Sequence, residues 1–145
     1  MGKQQANAQW KGTLKEGNGT FRLPKGNVSA SYTFATRFED ADGTNPEELV
    51  GAALSSCYAM FLSALLTNNG FSPKTIDANA TVTLERDDTG PCITAIGLSV
   101  DADVPEIADE QFQGFVQEAL QKCPISRLYA SVDKQVNASL TAVAS

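Results

Sequence analysis

Apolar and polar positions alternate with a period of two over the first third of the chain. Ala8, Trp10, Gly12 and Leu14 take one phase. Phe21 and Leu23 follow a Gly17-Asn18-Gly19 turn signal, and Val28, Ala30, Tyr32 and Phe34 alternate with Ser29, Ser31 and Thr33. This pattern predicts a β-meander with one buried face that ends near Arg37, followed by a loop over Asp40 to Gly43. The period then changes. Asn45-Pro46-Glu47-Glu48 offers a capping residue, a first-turn proline and acids at the positive end of a helix dipole. A helix is predicted from there to about Asn68, with Gly70 as its stop. Val50, Leu54, Cys57, Phe61 and Leu65 share a face, while Leu49, Ala53, Met60 and Leu62 cover much of the remainder. A helix apolar nearly all round calls for burial on all sides. One sheet of a short chain cannot supply that, so a second subunit is expected as cover.

Alternation returns in Ile76, Ala78, Ala80, Val82 and Leu84. After a turn at Asp87 to Pro91 it resumes in Ile96, Leu98, Val100 and Ala102, which together predict a hairpin. A second helix is expected over about Asp109 to Lys122, with Phe112, Val116 and Ala119 inward and Cys123 at its end. Pro124 would break it and start a short helix through Tyr129, and a last strand would run from Val132 to about Ala142. The order β-β-β-α-β-β-α-β, without alternating βαβ units, argues for an α+β fold in a single domain over residues 1–145.

Composition narrows what such a fold can do. The chain has 145 residues, 42% hydrophobic and 19% charged, which suits one globular domain. A net charge of -6 with no basic cluster argues against nucleic acid or an anionic membrane as partner. The polar opening, Met1 to Gln9, has no signal-peptide pattern, and the uncharged stretch Leu49 to Pro73 is interrupted by serines and asparagines. No membrane span and a cytoplasmic location are expected. Histidine is absent, which removes Ser-His-Asp triads, Cys-His dyads and histidine-bound metals. Three cysteines, Cys57, Cys92 and Cys123, lie far apart in sequence, which fits neither zinc spacing nor a disulfide framework.

Two readings therefore stand for each cysteine: packing, or thiol chemistry that needs no histidine. Cys57, mid-helix in Ser55-Ser56-Cys57-Tyr58, is either a small buried hydrophobe or a nucleophile whose thiolate an arginine or lysine must stabilise. Cys123 is either a helix-end packing residue or a second thiol, placed before Pro124 where helix N–H groups would favour its thiolate. The sixty-five residues between them neither demand nor exclude contact. Cys92 shares the strand phase of Ile96 and Leu98 and reads as core packing. Arg37 and Glu47 are the charged candidates, each of which also reads as an ordinary surface or first-turn charge, and Glu48 has the same claim as Glu47. A glutamate holding an arginine fork would leave that fork free to bind a thiolate. Glu47 and Cys57 stand ten residues apart on one helix, roughly 15 Å along its axis. An arginine must bridge part of that gap, or Glu47 must come from the other subunit.

Thr36-Arg37-Phe38-Glu39-Asp40, Gly43-Thr44-Asn45-Pro46-Glu47-Glu48-Leu49, Gly51-Ala52-Ala53 and Ser56-Cys57, with the later Lys122-Cys123-Pro124-Ile125-Ser126, closely resemble the OsmC/Ohr family of osmotically induced and organic-hydroperoxide-resistance proteins. The likeness runs from about Trp10 to about Leu140 and is nearer the osmotically induced branch. It implies antiparallel sheets around a long buried central helix in an intertwined homodimer. It also implies thiol-dependent reduction of hydroperoxides, organic ones before hydrogen peroxide. Under it Cys57 is the peroxidatic cysteine, Cys123 resolves it as a disulfide, Glu47 matches the family glutamate, and Arg37, with Arg22 as fallback, supplies the arginine. Cys92 lies outside the pattern. No bound cofactor or metal is implied. The reductant would be an external dithiol, with a lipoyl-bearing protein implied for at least one branch. Phe61 and Tyr58 beside Cys57 would favour alkyl or lipid hydroperoxides. From the residues alone, a redox sensor and a dimer carrying a small lipid-like ligand remain the alternatives.

Overall fold

The computed structural model describes residues 2–141. The chain divides into two compact units, Met1–Leu49 and Val50–Ser145.

The first unit is a three-stranded antiparallel sheet, β1 (Asn7–Lys11), β2 (Asn18–Leu23) and β3 (Val28–Tyr32), in that order. Gly19 sits opposite both Trp10 and Tyr32 in the register. A Cβ there would come within 2.7 Å of both rings, so only glycine lets the two aromatics close over β2, with centroids 5.5 Å apart. The predicted strand through Phe34 stops early. Thr33 caps a short helix, α1 (Phe34–Phe38), by a reciprocal exchange with Thr36: each side chain accepts from the other residue's N–H. Arg37 therefore sits on a helix and does not end a strand. The local Thr-x-x-Thr box outweighed the alternation of period two.

The long helix α2 (Pro46–Asn68) has the predicted bounds. Asn45 is its cap, its Oδ1 accepting from Glu48 N–H at 2.8 Å, with Pro46 at the first helical position. Gly70, at φ +90°, ends it. The N–H groups of Gly70 and Phe71 donate to the carbonyls of Thr67 and Leu66, which is the paired closure a left-handed glycine permits.

In the second unit, α2 packs on a sheet of β4 (Thr75–Asp87), β5 (Gly90–Asp103) and β6 (Asp133–Leu140). β4 and β5 form the predicted hairpin. Asp87 Oδ1 accepts from the N–H groups of Thr89 and Gly90 in its turn. β6 runs parallel to β5, not antiparallel as expected. A parallel return needs a long crossover, and α3 (Asp109–Lys122) and α4 (Pro124–Leu128) supply it, so one βαβ-type connection exists after all. The last strand ends at Leu140, and Ala142 lies outside the described residues.

The core of this unit joins Leu54, Tyr58, Leu62 and Leu66 of α2, Ile96, Leu98, Val100 and Ala102 of β5, and Phe112, Val116 and Ala119 of α3, with Cys123 among them. Each fully buried leucine contributes about 2 kcal/mol. The buried stripe of α2 is thus turned from the predicted face: Cys57, Phe61 and Leu65 flank it and are only partly buried. Nor is the helix covered all round. Ala52, Ser56, Met60 and Ala64 form an exposed stripe, and Met60 keeps 79% of its surface. By length and composition α2 would suffice to cross a membrane, although in this fold its leucine stripe makes the core.

Candidate active site

The residues singled out from the sequence form two pairs, one in each unit. In the first unit Arg37 and Glu47 make a forked ion pair. Nε donates to Oε1 at 3.1 Å and to Oε2 at 3.3 Å, and Nη2 donates to Oε1 at 2.8 Å. Glu47 is buried at 8% exposure, while the Arg37 side chain keeps 37%. The carboxylate thus fixes one edge of the guanidinium and leaves the other free for an anion. Arg22 projects from β2 as an exposed residue and does not join this pair. Glu48 points to Thr44, whose hydroxyl donates to its Oε1 at 2.6 Å. The structure so separates Arg37 from Arg22, and Glu47 from Glu48.

Asn45 positions the pair. While its Oδ1 caps α2, its Nδ2 donates to the Thr36 carbonyl of α1 at 3.1 Å. One amide therefore ties the turn carrying Arg37 to the turn carrying Glu47. Asn45→Ala is expected to cost about 1–2 kcal/mol of stability and to loosen the ion pair. Asn45→Ser keeps a capping oxygen and loses only the link to Thr36. Melting temperatures of the two variants separate these contributions, the alanine variant melting lower.

Sequence reasoning missed the surroundings of Arg37. Trp10, Leu14, Tyr32, Thr33, Phe34 and Phe38 enclose with it a cavity of about 210 Å³. Its walls are mostly aromatic. The rings of Phe34 and Phe38 pack tilted by 50° with centroids 5.1 Å apart, and the guanidinium carbon lies 5.0 Å from the Phe38 centroid. The alternation had placed Phe34 on a strand and gave no place to Phe38. On α1 they are four apart and share a face.

In the second unit the sulfurs of Cys57 and Cys123 lie 2.9 Å apart, with the Cys123 thiol donating. Both are free thiols. Cys123 is fully buried at the junction of α3 and α4, and Cys57 is half-buried. Cys123 has the predicted place before a short helix, and the N–H groups of Ser126 and Ile125 do pull its pKa down. Burial outweighs them, and with the contact to Cys57 it holds the thiol above its ordinary value. Cys123 therefore stays the protonated partner. Tyr58, expected with Phe61 to favour alkyl or lipid hydroperoxides beside Cys57, is fully buried, its Oη donating to the Val116 carbonyl at 2.9 Å. Phe61 packs against the core.

Cys92 departs from its expected place. A bulge at Thr83/Leu84 of β4 leaves Thr94 of β5 unpaired, so Ile93 takes the face of Ile96, and Cys92 the other. Cys92 is absent from the core, and slight desolvation followed by the Asp87 carboxylate raise its pKa. Among the described residues no cluster of Cys, Asp and Glu is arranged to hold a metal ion.

A family model described as OsmC-like protein matches residues 39–136. The chain belongs to this family. The OsmC-like segment contains Glu47, Cys57 and Cys123, and begins two residues after Arg37. A relative named peroxiredoxin OsmC, from Escherichia coli (strain K12), is 43% identical over 122 residues, covering 83% of this chain and 85% of that protein. An organic hydroperoxide resistance protein-like relative from Staphylococcus aureus (strain USA300) is 30% identical over 102 residues, covering 68% and 72%. The crystal structure of the organic hydroperoxide resistance protein OhrB of Bacillus subtilis shares the fold, with a TM-score of 0.73 at 21% identity, covering 93% of this chain and 98% of that one. The OsmC-like fold expected from the sequence is therefore the observed one.

Proposed function

We propose that this protein is a cysteine-based peroxidase that reduces organic hydroperoxides, and hydrogen peroxide more weakly. The observation that carries the reading is the 2.9 Å contact between two free thiols, one buried and protonated, the other reachable from solvent. The names of its OsmC-like relatives point the same way.

The Cys57 thiolate attacks the terminal peroxide oxygen. The O–O bond breaks, an S–O bond forms, and the leaving alkoxide takes a proton to become an alcohol. Cys57 is then a sulfenic acid. The Cys123 sulfur attacks the Cys57 sulfur, its proton leaves with the hydroxyl as water, and a disulfide forms. An external dithiol, such as a lipoyl group on a carrier protein, reduces the disulfide and becomes one itself. The free edge of Arg37 stabilises the thiolate and the peroxide oxygen, and Glu47 holds the fork in place. The aromatic cavity beside Arg37 takes the organic part of the substrate, which gives alkyl and aryl hydroperoxides their advantage.

A homodimer is part of this proposal. A second copy would cover the Met60 stripe of α2. It would also let the Arg37–Glu47 pair of one subunit serve Cys57 of the partner subunit, since about 15 Å of helix separates Glu47 from its own Cys57.

The test is peroxide consumption by purified protein with excess dithiol, comparing cumene hydroperoxide with hydrogen peroxide. Many turnovers, faster with the organic peroxide, are expected. A single stoichiometric oxidation would make the protein a redox sensor, and no oxidation would leave a ligand-binding role for the cavity.

A further inference from the structure

Tyr58 follows the candidate nucleophile directly and has a role that packing does not explain. Its ring is fully buried between α2 and α3. A phenylalanine would fill the same space without bringing a hydroxyl into the core. The hydroxyl is not idle: it donates to the carbonyl of Val116 in the middle of α3. That carbonyl already has its place in the helical ladder, so Tyr58 occupies its second lone pair. The bond therefore links two helices and satisfies nothing else. α3 ends at Lys122, and Cys123 is its cap. One end of the link is thus bonded in sequence to Cys57, and the other lies two turns before Cys123. Tyr58 also lies within electrostatic reach of that cysteine: burial first, and then the charge of a Cys123 thiolate, push its phenol up.

We infer that Tyr58 is a positioning residue, whose hydrogen bond to Val116 holds the Cys57 and Cys123 sulfurs in register and so sets how the Cys57 sulfenic acid divides between disulfide and over-oxidation. This rests on the peroxidase reading above and adds a regulatory consequence to it. The sulfenic acid has two fates. Cys123 can displace its hydroxyl as water to form the disulfide. A second hydroperoxide can instead transfer an oxygen, leaving sulfinic acid and a second alcohol. The first fate is intramolecular and depends on alignment within a few tenths of an ångström. The second depends only on peroxide concentration. A protein with the link would form the disulfide even at high peroxide, and one without it would inactivate at lower doses.

The experiment uses Tyr58→Phe in the full chain, beside wild type and Cys123→Ser. The variant keeps the ring and leaves no buried donor unpaired, so it should fold and melt within about 4 °C of wild type. Rapid-mixing kinetics follow sulfenic acid formation with one equivalent of cumene hydroperoxide, then disulfide formation. Mass spectrometry counts sulfinic acid across a peroxide titration. The expected result is an unchanged first step, disulfide formation roughly five- to tenfold slower, and sulfinic acid at correspondingly lower peroxide, between wild type and Cys123→Ser. Equal disulfide rates in Tyr58→Phe and wild type would overturn the inference. So would a parallel fall of both steps with lower melting, which would make Tyr58 merely structural. A wild type that never forms sulfenic acid would instead overturn the peroxidase reading, and the wild-type arm alone detects that.

Discussion

Replacing Cys57 by serine is expected to bring peroxide turnover to background, a loss of about 10³-fold or more, with the fold intact. Serine differs by one atom in a half-buried helical position, so melting should hardly change. What disappears is the proposed nucleophile, a half-buried thiol whose sulfur lies 2.9 Å from that of Cys123. Cys92 cannot substitute, because the bulge in the hairpin turns it away from the core face of β5 and its thiol is kept protonated. Cys123 cannot either, because it is fully buried and burial holds its proton on. Cys123→Ser should behave differently. Its first equivalent of peroxide should be reduced at the wild-type rate, after which the Cys57 sulfenic acid should gain a second oxygen atom as sulfinic acid and activity should stop as peroxide accumulates. The raised pKa of Cys123 adds a pH signature. Only its thiolate attacks efficiently, so disulfide formation should accelerate as pH rises through and beyond the ordinary thiol range. Stopped-flow consumption assays with intact-mass analysis check all three outcomes. Full turnover by Cys57→Ser would remove the assignment of the nucleophile.

Much of this architecture was legible in the sequence because single strong signals agreed. Asn45-Pro46 and Gly70 bound α2 correctly, and Phe112, Val116 and Ala119 were found as the buried face of α3. The failures have physical causes. On α2 nearly every position is apolar, so periodicity carried little phase. The sheet it packs on selected Leu54, Tyr58, Leu62 and Leu66, and left Cys57 at the flank. At Thr33 a capping box overrode strand alternation and moved Arg37 onto a helix, where its fork meets Glu47. At Cys92 an unpaired residue two positions on reversed the strand phase, which no alternation rule can foresee. The parallel pairing of β6 was equally hidden, since strand direction follows from how the α3–α4 crossover packs. For the site, the exclusion of histidine left packing and thiol chemistry both open, and it was the family resemblance that singled out Cys57, Cys123, Glu47 and Arg37, the last two of which do pair. The aromatic cavity at Arg37 was not legible, because it depends on α1.

Loss of Arg37 is expected to be the second large effect, with Arg37→Met lowering kcat/KM for cumene hydroperoxide about 10²–10³-fold. The same change strands the carboxylate of Glu47, a buried residue whose ion-pair partner among the described residues is Arg37. Because the arginine side chain itself is 37% exposed, the stability cost should be smaller than for a fully buried pair, about 1–2 kcal/mol. Glu47→Gln separates the two contributions. Its amide keeps an acceptor for one of the fork's N–H groups and removes the charge, so stability should fall little while activity falls about tenfold as the fork loosens. The pairing of subunits can then be decided. If Arg37 serves Cys57 of the partner subunit, a purified heterodimer of Arg37→Met and Cys57→Ser chains contains one intact site, formed from the unmutated residue of each chain. It should recover about half of wild-type activity, although each parent homodimer is nearly inactive. If Arg37 served its own subunit, both sites of the heterodimer would stay broken and no activity would return. Coexpression of the two chains with different affinity tags, followed by the cumene hydroperoxide assay, distinguishes these outcomes. An inactive heterodimer of normal stability would confine the site to one chain and require Arg37 to reach along α2 to its own Cys57.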